Sequence, residues 1–237
     1  MNDFLVFDIY GMKAFWKKFY SNSSSLTYFF PTRTNLTGLV SAILANDYFE
    51  NMEKYNEDFT LEKAKFGIKT FSKFRTRVDV INQHMSPKID DQSITQINKE
   101  YLLDKNEGRV HYRVYFTHEN KELLDILEDK LKRKDPGFTI CLGARDCLAN
   151  MEFIKKVSAN NVEKLSEYSG EINTSLINDE NIVQVDTKNK KNEVMPMVLN
   201  PERECLETGT VVYKDDTLEG VFENIYKLDE EYVSTYQ

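Results

Sequence analysis

The sequence predicts an α+β fold. A β-α-β-β-α-β domain occupies residues 1–157, a hairpin projects from it at about 80–109, and a β-rich appendage follows over 158–237. Three observations carry this. Residues 34–45 and 119–134 repeat apolar side chains at helical spacing. Four other segments, near 3–10, 64–80, 110–116 and 138–142, run at strand length and are rich in β-branched and aromatic residues. Beyond 158 only short strand-like runs between turns remain.

Asp3 to Tyr10 is the first strand, and Gly11 ends it. Lys13-Ala14-Phe15-Trp16-Lys17-Lys18-Phe19-Tyr20 interleaves cations with aromatics. That mixture suits stacked bases and phosphates, and it equally suits an amphipathic turn that packs its rings inward. Pro31 keeps Phe30 out of the helical region, so the first helix starts after it, with Thr34 or Asn35 as its cap. Leu36, Leu39, Val40, Ile43 and Leu44 form its apolar stripe, flanked by the small residues Gly38, Ser41, Ala42 and Ala45. Free N–H groups, the hydroxyls of Thr32 and Thr34, and Arg33 beside them make the start of this helix a candidate phosphate site. An ordinary capped core helix would read the same way.

Asn46 to Leu61 is a polar connection. Ala64 to Val80 alternates with period two, which predicts one long strand with a basic face of Lys69, Lys73, Arg75 and Arg77. Residues 81–108 carry Asn82, Pro87, Asp90, Asp91, Asn106 and Gly108 and break that pattern. So long a polar excursion inside a compact domain is expected to be either functional or disordered. It is expected to bury little apolar surface. Val110 to Phe116 is the third strand. Glu119 to Lys134 is the second helix, stopped by Asp135-Pro136-Gly137, and Phe138 to Leu142 is the fourth strand. The order is that of the split β-α-β, or ferredoxin-like, arrangement shared with RNA-recognition modules. Cys147 to Val157 reads as a packing segment. Residues 182–185, 195–199, 210–213 and 221–226 read as short strands, with 188–192 a solvated hairpin tip.

Hydrophobic content of 41% and aromatic content of 12% support a packed core. No stretch reaches the ~20 apolar residues of a membrane helix, and residues 4–9 lack a signal-peptide context. Three cysteines, Cys141, Cys147 and Cys205, form no C-x-x-C pair. We therefore expect a reduced, cytoplasmic protein without structural zinc, membrane contact or cofactor. The formal net charge of −8 argues against nucleic-acid binding unless charge is segregated. It is: Lys63 to Arg77 holds six cations and no acid, whereas acids dominate past Glu202. Of the three histidines, His84, His111 and His118, none has a neighbour at metal-ligand spacing.

Phe4 to Gly11, Ala14-Phe15-Trp16, Pro31 to Ala45 and Leu142-Gly143-Ala144-Arg145, in this order and spacing, resemble the fifth family of CRISPR-associated proteins. The resemblance is concentrated in residues 1–45 and extends to about 157. It implies a subunit of a type I surveillance complex (Cascade), I-B-like in length, which holds the 5′ handle of the CRISPR RNA. Its partners would be the backbone and large subunits, with target DNA met only through the complex. The RNA-binding candidates are then Lys13, Phe15, Trp16, Lys17, Arg33, Thr34, Asn35, Lys69, Lys73, Arg75, Arg77, His111, Arg113, Gly143 and Arg145. The resemblance also implies a thumb-like hairpin that meets a backbone subunit, through Asn82, His84, Met85 and Lys88. Some family members cut precursor RNA with a Tyr and an adjacent Lys-His pair. Here Val110 precedes His111 and Thr117 precedes His118, so no catalytic residue is assigned. Two other readings stay open: a metal-independent endoribonuclease on the same fold, and a ligand- or protein-interaction domain.

Overall fold

A computed structural model describes residues 2–21, 25–44, 55, 57–84, 94–185, 190–214 and 217–236. The chain is mixed α+β and rich in strand. Its centre is a four-stranded sheet of β1 (Phe4–Gly11), β4 (Ala64–Thr70), β7 (Val110–His118) and β8 (Ala149–Val157), in the order β4-β7-β1-β8. Every neighbouring pair in it is antiparallel. Between β1 and β4 lie a two-residue pair, β2 (Trp16–Lys17) and β3 (Thr27–Tyr28), and helix α1 (Arg33–Leu44). Helix α2 (Lys121–Arg133) separates β7 from β8.

Both helices cover one face of the sheet. Leu5, Phe7 and Ile9 of β1 pack there with Leu36, Val40 and Ile43 of α1 and with Leu124, Leu127 and Leu131 of α2. The cap of α1 is Thr32 rather than Thr34 or Asn35. Its hydroxyl accepts the Asn35 N–H at 3.2 Å while Asn35 Oδ1 accepts the Thr32 N–H at 3.2 Å, a reciprocal capping box. Asn120 caps α2 through the N–H groups of Glu122 and Leu123, and Lys134 closes it in the left-handed region at φ 55°.

Two strand expectations are corrected. The alternating run 64–80 is not one strand. It breaks at Phe71–Lys73, where Thr70 Oγ1 accepts the Ser72 N–H, and restarts as β5 (Phe74–His84). Among the described residues β5 pairs only with β6 (Ile94–Asp104), in a hairpin outside the main sheet. A break of this kind is invisible to periodicity, because both pieces alternate. Likewise Phe138–Leu142 is not the fourth strand. It forms a loop held to α1 by Gly137 N–H to Ile43 O and Phe138 N–H to Ala42 O. The strand beside β1 is β8, from the segment read as mere packing.

The excursion also buries more than its polarity suggests. Tyr101 and Leu102 on β6 are 3% and 0% exposed and belong to the main core. Ala14 exchanges two backbone hydrogen bonds with Leu102, and Ser25 bonds Asn98 and Glu100, so the base of the hairpin is docked. Its far half is open: Val78, Val80 and Ile94 are all more than half exposed.

The remaining strands are β9 (Val162–Ile172), β10 (Leu176–Asn178), β11 (Ile182–Val185), β12 (Lys191–Leu199), β13 (Cys205–Tyr213), β14 (Leu218–Leu228) and β15 (Glu231–Val233). β10, β13 and β12 form one sheet; β9, β11 and β15 pair with β14 in another. Leu176, Met195, Met197, Val211, Tyr213 and Tyr236 enter the main core. Val162, Tyr226, Leu228 and Val233 cover Phe4, Val6, Tyr115 and Val157 on the second face of the central sheet. Of the expected hairpin tip at 188–192, residues 188 and 189 lie outside the described residues, and Lys191 and Asn192 open β12. No helix among the described residues is long and apolar enough to cross a membrane.

Candidate functional site

One face of α1, from Thr34 to Ala42, is the floor of a groove of about 610 Å³. Thr34, Asn35, Gly38, Ser41 and Ala42 face into it. Because the side chains on this face are small, the groove reaches the helix surface, and a Cβ placed on Gly38 would meet nothing within 4 Å. One wall is the loop 138–145, with Gly143 and Arg145. The other is Leu199, Asn200 and Arg203 at the turn between β12 and β13. The lining carries two cations, Arg145 and Arg203, and no carboxylate among the described residues. Six of the candidates from sequence therefore meet here or just behind: Thr34, Asn35, Gly143 and Arg145 in the groove, Trp16 in its wall, and Phe15 beneath the loop.

Gly143 holds that wall in place. Its φ is +89°, and a Cβ would sit 2.0 Å from the Phe15 carbonyl oxygen and 2.8 Å from the Trp16 ring. Only glycine allows this approach. Phe15 N–H donates to Leu142 O at 2.9 Å, closing the contact. Phe15 and Trp16 are buried, and Trp16 Nε1 donates to the Tyr112 hydroxyl at 3.3 Å. These rings pack inward and support the groove instead of stacking on a ligand. Lys17 is exposed.

Lys13 is not free for phosphate. It donates to Asp146 Oδ2 at 2.9 Å and lies 3.9 Å over the Tyr101 ring. Lys99 reaches Asp146 Oδ1 at 2.9 Å, and the Tyr101 hydroxyl donates to the same carboxylate. Burial would raise the Asp146 pKa, but these hydrogen bonds outweigh it and hold the carboxyl well below the usual range. Asp146 thus ties the groove loop to the base of the hairpin.

Arg33 departs most from its expected place. It is 2% exposed and points away from the start of α1 into the protein. Its guanidinium donates to the carbonyls of Met197 at 3.1 Å, Phe59 at 2.9 Å, Thr60 at 2.7 Å and Ala64 at 3.0 Å. Burial pushes its pKa down to about 10. It is a staple joining α1, β4 and β12, not a phosphate ligand.

The basic strand divides with the break at 71–73. Lys73, Arg75 and Arg77 are exposed at the base of the hairpin, where Arg77 meets Asp79 at 2.9 Å. Lys69 stays in the main sheet, directly opposite Arg113. Arg113 and His111 both contact Asp8: Arg113 Nε at 2.8 Å and His111 Nε2 at 2.9 Å. His118 is 1% exposed, with Nε2 against Asp58 O and Nδ1 accepting the Asn120 N–H. Asn82 is exposed near the far end of β5, and His84 ends that strand. Met85 and Lys88 lie outside the described residues. No group of three metal-ligating side chains occurs among the described residues. Sequence reasoning missed Arg203, Asp146, Lys99, Tyr10 and Phe71; the contacts that join Asp146 to Lys13 and Lys99, and Tyr10 and Phe71 to His111, span about 40 residues or more.

A family model described as CRISPR-associated protein (Cas_Cas5) matches residues 4–204. No curated protein matches the sequence. Among solved structures, a CRISPR protein from Archaeoglobus fulgidus is 16% identical, with a TM-score of 0.58 over 98% of this chain and 97% of that one. A chain of a CRISPR RNA-guided surveillance complex is 14% identical, with a TM-score of 0.53 over 92% and 91%. A chain of the Type III-B Cmr-beta complex bound to cognate target RNA is 11% identical, with a TM-score of 0.53 over 90% and 86%. At such identities the structural likenesses are of fold, while the family match spans most of the sequence. The chain belongs to the Cas5 family of CRISPR-associated proteins.

Proposed function

We propose that this protein is a non-catalytic subunit of a type I CRISPR surveillance complex, which binds the 5′ handle of the CRISPR RNA and anchors the neighbouring backbone and large subunits. The observation that carries the reading is the groove over α1, whose described lining holds no carboxylate, with Arg145 and Arg203 on opposite walls and the N-terminus of α1, with the Thr34 hydroxyl, at one end. The antiparallel order β4-β7-β1-β8, with both helices on one face, supports the ferredoxin-like reading of the first half. β5 and β6 are then the thumb, reaching a backbone subunit through Asn82 and His84, and residues 158–237 are the appendage. The protein meets target DNA only through the complex and works in the cytoplasm without a membrane or cofactor.

The test is handle-RNA binding by an Arg145→Ala/Arg203→Ala variant across a salt series. Loss of two phosphate contacts on a single strand should lower the slope of log K against log salt by about 1.4. Unchanged affinity and slope would remove the groove from the RNA path. One observation favours a ribonuclease instead: His111 is partly exposed and oriented by Asp8, beside Arg113. A His on a carboxylate can serve as a general base. Cleavage of repeat RNA by the full chain without metal, lost in His111→Ala, would establish that reading over ours.

A further inference from the structure

The second face of the central sheet changes chemistry along its strands. Phe4 and Val6 of β1 and Tyr115 of β7 are covered by β9, β14 and β15. Two residues further on, Val6 gives way to Asp8 and Tyr115 to Arg113, and next come Tyr10 and His111. The apolar cover ends where the charge begins. This open end of the sheet holds two aromatic rings, each with cations at its face. Phe71, 49% exposed, lies 4.8 Å from the His111 ring, 5.1 Å from the Arg113 guanidinium and 5.7 Å from Lys69 Nζ. Tyr10 meets the His111 ring edge-on at 5.7 Å, and the Arg109 guanidinium lies 5.2 Å over it.

We infer that this open half-face is a stacking platform for unpaired nucleobases, separate from the groove over α1. Phe71 and Tyr10 take the bases, and Lys69 and Arg109 take the phosphates. The inference rests on the RNA-binding reading above and adds a second contact surface to it. The chemistry narrows the ligand class. A cationic or peptide-amine ligand would need a free carboxylate beside the rings. The exposed Glu152, opposite Asp8 on β8, stands at the other edge of the sheet from β4 and Phe71, and Asp8 itself is 4% exposed. Both its oxygens are already occupied, Oδ1 by Arg113 Nε and Oδ2 by Arg113 at 3.1 Å and His111 at 2.9 Å. A lone phosphate would have no use for the exposed Phe71 face. Flat π-faces between cations suit a single-stranded nucleic acid, whose bases stack whatever their sequence. Asp8 orients His111 and Arg113 below the rings, so the platform is built before any ligand arrives.

The experiment is titration of the full-length chain with a fluorescent octauridylate. Phe71→Leu and Tyr10→Leu should each weaken binding about tenfold with the salt slope unchanged, since stacking releases no counterions. Phe71→Trp should restore affinity, which a merely structural role for Phe71 would not predict. The loss should persist in the Arg145→Ala/Arg203→Ala background. If neither leucine variant weakens octauridylate binding, or if tryptophan fails to rescue, the platform is overturned even where the groove variant still loses the handle. If instead the groove variant keeps the handle while Phe71 still governs octauridylate binding, the groove reading falls and the platform stands.

Discussion

Replacing Arg33 with methionine separates a structural arginine from a phosphate ligand. The side chain is 2% exposed and joins four carbonyls at 2.7 to 3.1 Å, so methionine would fill similar space and leave those acceptors unpaired. Hydrogen bonds from a charged donor are each worth roughly 1.5–3 kcal/mol net, so about three effective ones give some 6 kcal/mol. Against this stands the cost of burying a guanidinium with no carboxylate hydrogen-bonded to it among the described residues, Glu207 offsetting only part of it. The fall in its pKa from 12.5 to about 10 marks that cost as roughly 3 kcal/mol. The net loss is then about 3 kcal/mol, or ~6–12 °C in melting temperature for a chain of this size. Thermal unfolding by circular dichroism reads it, alongside the salt slope of RNA binding. Arg33→Lys should recover less than half, because an ammonium cannot fork between carbonyls. A melting temperature within ~2 °C of the parent, together with a reduced salt slope, would place the guanidinium on phosphate and refute the assignment.

Three further outcomes follow from the same structure. Replacing residues 81–97 by a short turn removes only the far part of the hairpin and keeps Asn98 and Lys99 in the docked base, so melting should hold while co-purification with the complex is lost. Truncation that also removes Tyr101 and Leu102 should cost at least ~3 kcal/mol, read by denaturant unfolding. Gly143→Ala should disorder the groove wall and lower both stability and handle affinity, since its Cβ would overlap the Phe15 carbonyl; unchanged melting would show that the loop can move aside. For Asp8, burial raises the pKa, but hydrogen bonds from His111 and Arg113 outweigh it and lower the folded value below the ordinary 3.8. Its contribution is therefore complete above about pH 4 and lost as pH falls through the lowered folded value. Asp8→Asn should flatten the acid limb of a melting-temperature profile, and identical limbs would contradict it.

The sequence alone determined the two helices, the first and third strands, the acid-free basic run and the family. These are local or linear signals: apolar spacing in α1 and α2, Asp135-Pro136-Gly137 beyond a helix end, a motif order near the N-terminus. It also brought Thr34, Gly143 and Arg145 forward as members of one site, by resemblance. The tertiary structure decided what each cation faces. Arg33 turns inward because carbonyls as many as 164 residues away converge on it, and Lys13 is neutralised by Asp146, 133 residues on. Periodicity could not reveal that 64–80 splits between two sheets, because register is set by partners and both pieces keep the same alternation. Nor could it show that β8, not 138–142, stands beside β1, or that Phe71 and Tyr10 share an uncovered face. Which side chains meet, and which stay open to a ligand, depends on how distant strands pair and on where the second layer stops.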